Sequence, residues 1–368
     1  MEKINVGVLF GGKSSEHEVS LQSAKNVIAA MDKEKYNVVL IGIGKAGRWY
    51  LNENSRFLLN SHDPKRIALE KSEKDVVILP GDSNHELLSV TGGDVLSRLD
   101  VVFPVLHGAY GEDGTVQGLL KLADIPFVGA GVLGSAVGMD KDVAKRLLRD
   151  SGISIARFLT FHRWQREEIK FEKITEHLGL PLFVKPANAG SSVGVSKVKN
   201  KMQLDDAVES AFRFDRKILI EEAIVGRELE CAVLGNDAPE ASAIGEIIPA
   251  HDFYSYSAKY IDETGALLDI PAKLPNDITL SMQKTAIKAY QVLCCEGMAR
   301  VDFFLTADNT IVVNEINTIP GFTQISMYPK LWEISGLSYS ALIDRLIQLA
   351  LERHNTERQL STAYTNIE

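Results

Sequence analysis

The sequence predicts an α/β (α+β) chain with a mostly parallel sheet in its N-terminal part. Three observations point there. Early in the chain, apolar runs ending in glycine alternate with helical stretches, the pattern of parallel strands joined by crossover helices. From about residue 140 the texture changes to strand-like segments joined by loops of small and charged residues. Towards the C-terminus, two apolar runs flank Asp308-Asn309, which reads as a β-hairpin.

Bulk properties narrow the field. The chain has 368 residues, 45% hydrophobic and 24% charged, enough for two or three domains. Its net charge of -9 argues against a nucleic-acid surface. No apolar h-region follows Met1-Glu2-Lys3, and no apolar stretch approaches the ~20 residues that span a bilayer. No membrane partner and a cytoplasmic location are therefore expected. Cys231, Cys294 and Cys295 form neither a disulfide framework nor a metal-spacing motif, so buried thiols are expected.

The elements follow in order. Residues 4–10 read as a buried strand closed by Gly11-Gly12, and a helix follows from about Val19 to Met31. Val38 to Ile43 is a second strand, and residues 101–106 a third, ending at His107-Gly108. Ligands in such sheets sit beyond the carboxyl ends of strands, where both glycine-bearing ends fall. Asp140 to Ser151 is helical, with Val143, Ala144, Leu147 and Leu148 as its apolar face and Gly152 suited to the C-cap. Residues 181–186 signal a strand leading into the small-residue loop 188–194. Residues 216–222 form another strand, 249–260 a structured loop rich in Phe and Tyr, and Ser335 to about Arg353 a closing helix before a frayed polar tail.

The hairpin carries chemistry. With Asp308-Asn309 as its turn, Asp302 faces Glu315 and Arg300 faces Asn317, all on one face of the sheet. Opposed residues have Cβ atoms about 5 Å apart, so the two carboxylates repel unless a cation lies between them. Oxygen-only ligands suit a hard ion such as Mg²⁺, and an adjacent arginine suits a phosphate. A solvated face of ordinary charges is the competing reading. The 188–194 loop likewise reads either as a cradle whose N–H groups meet a phosphate, with Lys185 beside it, or as a plain hairpin turn.

Three glycine patterns are decoys. Residues 7–14 match the P-loop pattern, but three of its four middle residues are strand. Gly42-x-Gly44-x-x-Gly47 precedes a strand-forming segment and reads as a hairpin turn. Gly129-x-Gly131-x-x-Gly134, which a helix could follow, is too weak alone to support a nicotinamide or flavin site.

Together the segments resemble the ATP-grasp ligases, and among them the D-alanine–D-alanine ligases, across nearly the whole chain. The matching motifs are residues 11–20 (Gly-Gly-Lys-Ser-Ser-Glu-His-Glu-Val-Ser) and 107–114 (His-Gly-Ala-Tyr-Gly-Glu-Asp-Gly), then Met139-Asp140-Lys141 and Val184-Lys185-Pro186. Gly190-Ser191-Ser192-Val193-Gly194, Ala258-Lys259-Tyr260, the 300–317 hairpin and residues 317–321 complete the set. The resemblance implies a three-domain ATP-grasp architecture: a Rossmann-like N-terminal domain over 1–137, a central subdomain over 138–215, and a C-terminal subdomain over 216–368 with the metal site and an ω-loop. It implies ATP, two Mg²⁺ or Mn²⁺ ions, two D-alanine molecules, a homodimer, and a D-alanyl phosphate intermediate on the way to the dipeptide of peptidoglycan precursors. A ligase using D-lactate or D-serine as second substrate is the alternative; an ATP-binding regulatory protein and a dinucleotide oxidoreductase stand behind it.

Roles carry over by position. Asp302, Glu315 and Asn317 match the family's metal ligands. Lys141 and Lys185 match its phosphate lysines, with Ser192 and Lys259 in the nucleotide set. Glu221 matches an adenine-side contact and Glu228 the ribose carboxylate. Glu222 to Ile224 match the edge that reads adenine, although Ala223 stands where some relatives carry Trp. Glu16 matches the acceptor of the first substrate's ammonium. Arg300 and the Gly321 N–H match oxyanion and phosphate stabilisers, and Ser326 and Met327 the pocket for the second carboxylate. His107 matches a residue lining the first-substrate site; a structural hydrogen bond is its other reading. Residues 250–260 resemble the ω-loop, with Tyr260 reaching Ser191 and Ser191 reaching Glu16. A free tyrosine titrates near pH 10, so Tyr260 reads as an orienting group rather than a base. Tyrosine here, where ester-forming relatives carry histidine, favours the peptide product.

Overall fold

The computed structural model describes residues 2–53, 57–81, 84–249 and 266–361. The first sheet orders Trp49–Asn52, Tyr36–Ile43, Ile4–Gly11 and Val101–Val105 side by side. The last three run parallel, with Val6 beside both Val38 and Val101. Helix His17–Ala30 packs on this sheet and buries Val19, Leu21, Ala24 and Val27. Trp49–Asn52 pairs antiparallel with Tyr36–Ile43, so a hairpin turn forms as expected, with Gly44 and Gly47 in the turn and Gly42 in the strand opposite Tyr50. Strand Ile4–Gly11 runs through the middle of the P-loop look-alike, which cannot curl around a phosphate.

The second sheet is antiparallel, in the order Phe158–His162, Lys217–Glu222, Leu182–Pro186 and Ser196–Val198. Its own core includes Ile174, Leu182, Val184, Leu204, Ile218 and Ile220. The third sheet runs Ala266–Asp269, Glu240–Pro249, Arg227–Gly235, Gly297–Leu305 and Ile311–Asn317. Helix Asn276–Val292 covers it, burying Met282, Ala286 and Tyr290. One hydrophobic cluster joins the first sheet to the C-terminal part: Val6, Phe10 and Leu21 share it with Phe322, Leu342 and Leu346.

Several expectations need correction. Helix Lys141–Asp150 buries Ala144 and Leu148, but Val143 and Leu147 are exposed, and Asp142 and Lys145 take their places inside. Charge pairs, not apolar contacts alone, cover that side. Asp140 caps the helix by accepting from the N–H groups of Asp142 and Val143. The closing helix spans Tyr339–Arg358, with Ser338 as its cap, because a separate helix, Met327–Ile334, ends just before Ser335. Cys231 and Cys295 are buried, whereas Cys294 is exposed. Residues 250–260, including Lys259 and Tyr260, lie outside the described residues, as does the tail beyond 361. Among the described residues no helix is long and apolar enough to cross a membrane.

The third glycine pattern opens helix Val132–Met139. Its Gly134 abuts the carbonyl of Cys294, where a Cβ would lie only 2.3 Å from the oxygen. The pattern serves close packing between chain segments, not a dinucleotide.

Candidate active site

The hairpin register places Asp302 opposite Glu315 and Arg300 opposite Asn317. The neighbouring strand adds Glu230 opposite Asp302. Three carboxylates therefore stand in one row across three strands. Adjacent members of such a row have Cβ atoms roughly 5 Å apart, so they need counter-charge. Arg300 provides it with a fork: Nε and Nη2 each donate to Asp302 at 2.7 Å, and Nε lies 2.9 Å from Glu230 Oε2. Lys141 Nζ approaches Glu315 Oε2 at 3.4 Å and donates to the Ala189 carbonyl at 2.8 Å. Helix Lys141–Asp150 thus links the carboxylate row to the small-residue loop.

That loop closes the opposite side. Ser191 and Ser192 hold φ of +50° and +60°, a tight local turn. Ser191 Oγ donates to Glu16 Oε1. A Cβ on Gly190 would lie 2.7 Å from Glu16 Oε2, so a larger residue there would force the Glu16 carboxylate to shift. Glu16 is buried at the start of helix His17–Ala30, just beyond the end of the first parallel strand. Glu16, Lys141, Ser191, Arg300, Glu315 and Asn317 line one cleft, joined by Gly321, Ser326 and Met327. Ser326 precedes helix Met327–Ile334, and its hydroxyl meets Thr323 N–H at 3.0 Å and Thr323 Oγ1 at 2.8 Å. Asp302 is held behind Arg300 and is not among the residues that line the cleft.

A second charged cluster is buried beside helix Lys141–Asp150. Glu221 pairs with Lys185 and, at 2.8 Å, with Lys145 Nζ. Burial alone would raise the Glu221 carboxyl; the two ammonium groups outweigh it and hold it below its ordinary range. Burial lowers Lys145. Glu222 is committed to Arg157, which donates to it from Nε at 2.7 Å and from its main-chain N–H at 2.8 Å. The strand ends at Glu222, so Ala223 and Ile224 continue as irregular chain. Glu228 lies on strand Arg227–Gly235, opposite Phe304 and Ile247.

His107 is turned to structural work. Its Nδ1 meets the Ile319 carbonyl at 3.0 Å and its Nε2 meets Ser23 Oγ at 3.1 Å. Burial lowers its pKa to about 4, so the ring is neutral near pH 7. It is not among the residues that line the cleft. Glu112, in contrast, lines it. Gly108 N–H donates to its Oε2 at 2.6 Å and Ile319 N–H to its Oε1 at 3.2 Å. Burial first, then the charge of Glu16, push Glu112 up to about 8.

Glu112, Lys145 and Glu230 have no role in the sequence reading. Each carried a faint signal. Glu230 is two residues from Glu228 and so shares its strand face, Lys145 is four from Lys141 on a helix, and Glu112 lies inside the 107–114 motif.

The metal candidates Asp302, Glu315 and Asn317 offer oxygen donors alone, which suits a hard divalent cation. Among the described residues no three His, Cys, Asp or Glu side chains converge as a ready-made metal cage. The oxygen-only donor set fits the ion by its chemistry, while Arg300 pairs with Asp302 and Lys141 with Glu315 in the counter-charge positions.

A parallel-sheet unit followed by two antiparallel sheets, all closing on one charged cleft, is the architecture of an ATP-grasp ligase. Sequence models described as D-ala D-ala ligase N-terminus and C-terminus match residues 5–130 and 147–348. A D-alanine–D-alanine ligase of Shouchella clausii is 57% identical over 363 residues, covering 99% of both chains. The D-alanine-D-alanine ligase structure from Coxiella burnetii is 41% identical with a TM-score of 0.85, covering 98% of this chain and 97% of that one. The VanG D-Ala:D-Ser ligase structure from Enterococcus faecalis is 40% identical with a TM-score of 0.83, covering 95% of this chain and 100% of that one. The chain belongs to the D-alanine–D-alanine ligase family.

Proposed function

We propose that this chain joins two D-alanine molecules at the expense of ATP, giving D-alanyl-D-alanine, ADP and phosphate. The dipeptide would feed peptidoglycan precursor synthesis in the cytoplasm. The observation that carries the reading is the single cleft that gathers Glu16, Lys141, Ser191, Arg300, Gly321 and Ser326 from distant parts of the sequence.

The chemistry divides among these residues. Glu16, oriented by Ser191, accepts the ammonium of the first D-alanine. The carboxylate of that molecule takes the γ-phosphoryl group; its oxygen bonds to phosphorus as the bond to ADP breaks. The amine of the second D-alanine then attacks the carbonyl, loses a proton, and phosphate leaves. Arg300 and the Gly321 N–H stabilise the oxyanion and the transferred phosphate. Ser326, with Met327 beside it, receives the second carboxylate. Lys141 and Lys185 hold nucleotide phosphate, while Glu221, Glu228, Ser192 and the 222–224 edge surround the rest of the nucleotide. Asp302, Glu315 and Asn317 would hold two Mg²⁺ or Mn²⁺ ions, whose contribution is to neutralise phosphate charge. Lys259 and Tyr260 belong to the proposed lid, which excludes water from the acyl phosphate.

The proposed domains are 1–137, 138–215 and 216–368. The pairing of Lys217–Glu222 within the second sheet favours a second boundary just after Glu222. A homodimer rests on family resemblance alone, and sedimentation analysis would check it.

The test is phosphate release from ATP as a function of D-alanine. Release that requires D-alanine and a divalent cation, with D-alanyl-D-alanine as product, is expected. Release indifferent to D-alanine would overturn the reading. The likeness to a D-Ala:D-Ser ligase motivates the second reading, D-serine as second substrate. Competition among D-alanine, D-serine and D-lactate at neutral pH, read by product analysis, separates these substrates.

A further inference from the structure

Ile319 is held through both of its main-chain polar groups. Its N–H donates to Glu112 at 3.2 Å, and its carbonyl accepts from His107 Nδ1 at 3.0 Å. Phe322, three residues on, is held in the same manner. Its N–H donates to Ser23 Oγ at 3.2 Å, and its carbonyl accepts from Asn26 Nδ2 at 3.0 Å and from Tyr339 Oη at 2.8 Å. Since the Ile319 carbonyl can only accept, His107 carries its proton on Nδ1. Its Nε2 then accepts from the Ser23 hydroxyl. Glu112, His107, Ser23 and Asn26 all come from the N-terminal third of the chain, whereas the segment they grip belongs to the C-terminal part.

Between the two gripped residues stand Pro320 and Gly321. Proline has no N–H and a fixed φ. Gly321 lines the cleft, and its N–H meets no main-chain or side-chain acceptor among the described residues. The donor of the segment that stays available is therefore the one flanked by clamped neighbours.

Glu112 is the central member. It is buried, with an exposure of 8%, and makes no ion pair among the described residues. Burying a carboxyl is costly unless its oxygens are hydrogen-bonded. Both oxygens are used, one on Gly108 N–H and one on Ile319 N–H. Glu112 thus joins the loop behind the strand Val101–Val105 to the loop that carries Gly321.

We propose that Glu112 is a positioning residue, which holds Ile319 so that the Gly321 N–H is set in place before substrate arrives. The proposal rests on the oxyanion role assigned to Gly321 above. It adds that the N-terminal unit, through Glu112 with His107 and Ser23, controls a donor supplied by the C-terminal part.

The test is Glu112→Gln. A carboxyl, ionised or protonated, presents two oxygens to two N–H groups; the amide presents one oxygen and turns an NH₂ on the other donor. Misplacing a catalytic group by about 1 Å costs on the order of 100-fold in rate. The expected result is a fall in kcat of about that size with KM for ATP changed by less than about twofold, because a donor used in the transition state is disturbed and nucleotide binding is not. A purely structural role would lower the melting temperature and the active fraction without that split. Wild-type protein must first show D-alanine-dependent turnover. Its absence would remove the functional reading and this proposal together, whereas an active wild type with a folded variant keeping kcat within about threefold would overturn the clamp alone. If Glu112→Gln does not fold, Asn26→Ala probes the far end of the segment. A kcat reduced about threefold or more at unchanged KM for ATP supports the clamp, and an unchanged kcat overturns it.

Discussion

Ser191 donates its hydroxyl hydrogen bond to Glu16 across 175 positions of sequence. The contact ties the small-residue loop of the second sheet to the residue that precedes helix His17–Ala30, and both ends lie in the cleft. A hydrogen bond to a charged group contributes ~1.5–3 kcal/mol. Ser191→Ala is expected to lower kcat/KM for D-alanine by roughly 10- to 100-fold, and Glu16→Gln by at least as much. Steady-state kinetics with D-alanine varied at saturating ATP checks both.

Arg300 is the counter-charge for two carboxylates at once, Asp302 and Glu230. Removing one partner of a buried ion pair costs ~3–5 kcal/mol, because the other charge stays behind. Arg300→Ala should therefore lower both the melting temperature and, by at least about 100-fold, kcat. Tyr260→Phe should retain substantial activity. Equal losses in the two variants would contradict the orienting role given to Tyr260.

Glu221 bridges Lys145 and Lys185 in the interior. Glu221→Gln would leave two ammonium groups facing one another without an anion, whereas Lys145→Met would leave one matched pair. The glutamine variant is expected to melt lower than the methionine variant, with a gap corresponding to at least ~1 kcal/mol. Thermal denaturation of the two, without nucleotide, decides the order.

Two buried groups give opposite pH dependences. His107 titrates at about 4 in the folded chain against an ordinary 6.5, so its contribution to stability is present above pH 6.5 and lost as pH falls through 4. Glu112 titrates at about 8 against 4.5, so its contribution is present below pH 4.5 and lost as pH rises through 8. Between pH 4.5 and 6.5 the two oppose each other. In Glu112→Gln the histidine slope is left uncompensated. The melting temperature of that variant should fall more steeply than wild type on acidification through this window, and should not show the loss assigned to Glu112 towards pH 8. Parallel curves for the two proteins would refute the assignment.

The site row was legible in the sequence for a reason that the sequence conceals. A two-residue turn at Asp308-Asn309 gives the right partners for Arg300 and Asp302, yet the loop is longer: the strands end at Leu305 and Ile311. That loop displaces the register by one residue, pairing Phe303 with Val313, and a bulge before Asp302 and Glu315 restores it. Two departures from the simple hairpin cancel where the chemistry lies. Strand and helix positions followed from periodicity because one face of each is buried. The buried charges did not. Asp142, Lys145 and Glu112 are inside only because partners from remote segments neutralise or hydrogen-bond them, and no local pattern announces those partners. The same holds for His107, whose type suggested chemistry and whose ring meets the Ile319 carbonyl and the Ser23 hydroxyl, both from remote segments.

The distribution of cores makes the two walls of the cleft unequal. The first sheet shares a hydrophobic cluster with the C-terminal part, and the 317–322 segment is hydrogen-bonded across that junction. The second sheet has a core of its own. Opening the cleft by parting the first and third sheets would expose shared apolar surface and break the Ile319 and Phe322 bonds together. Moving the second sheet leaves those contacts intact. Across the mouth of the cleft, the Ser191–Glu16 hydrogen bond ties that separately cored sheet to the N-terminal unit, so this wall is held by polar contact where the other is held by shared apolar surface.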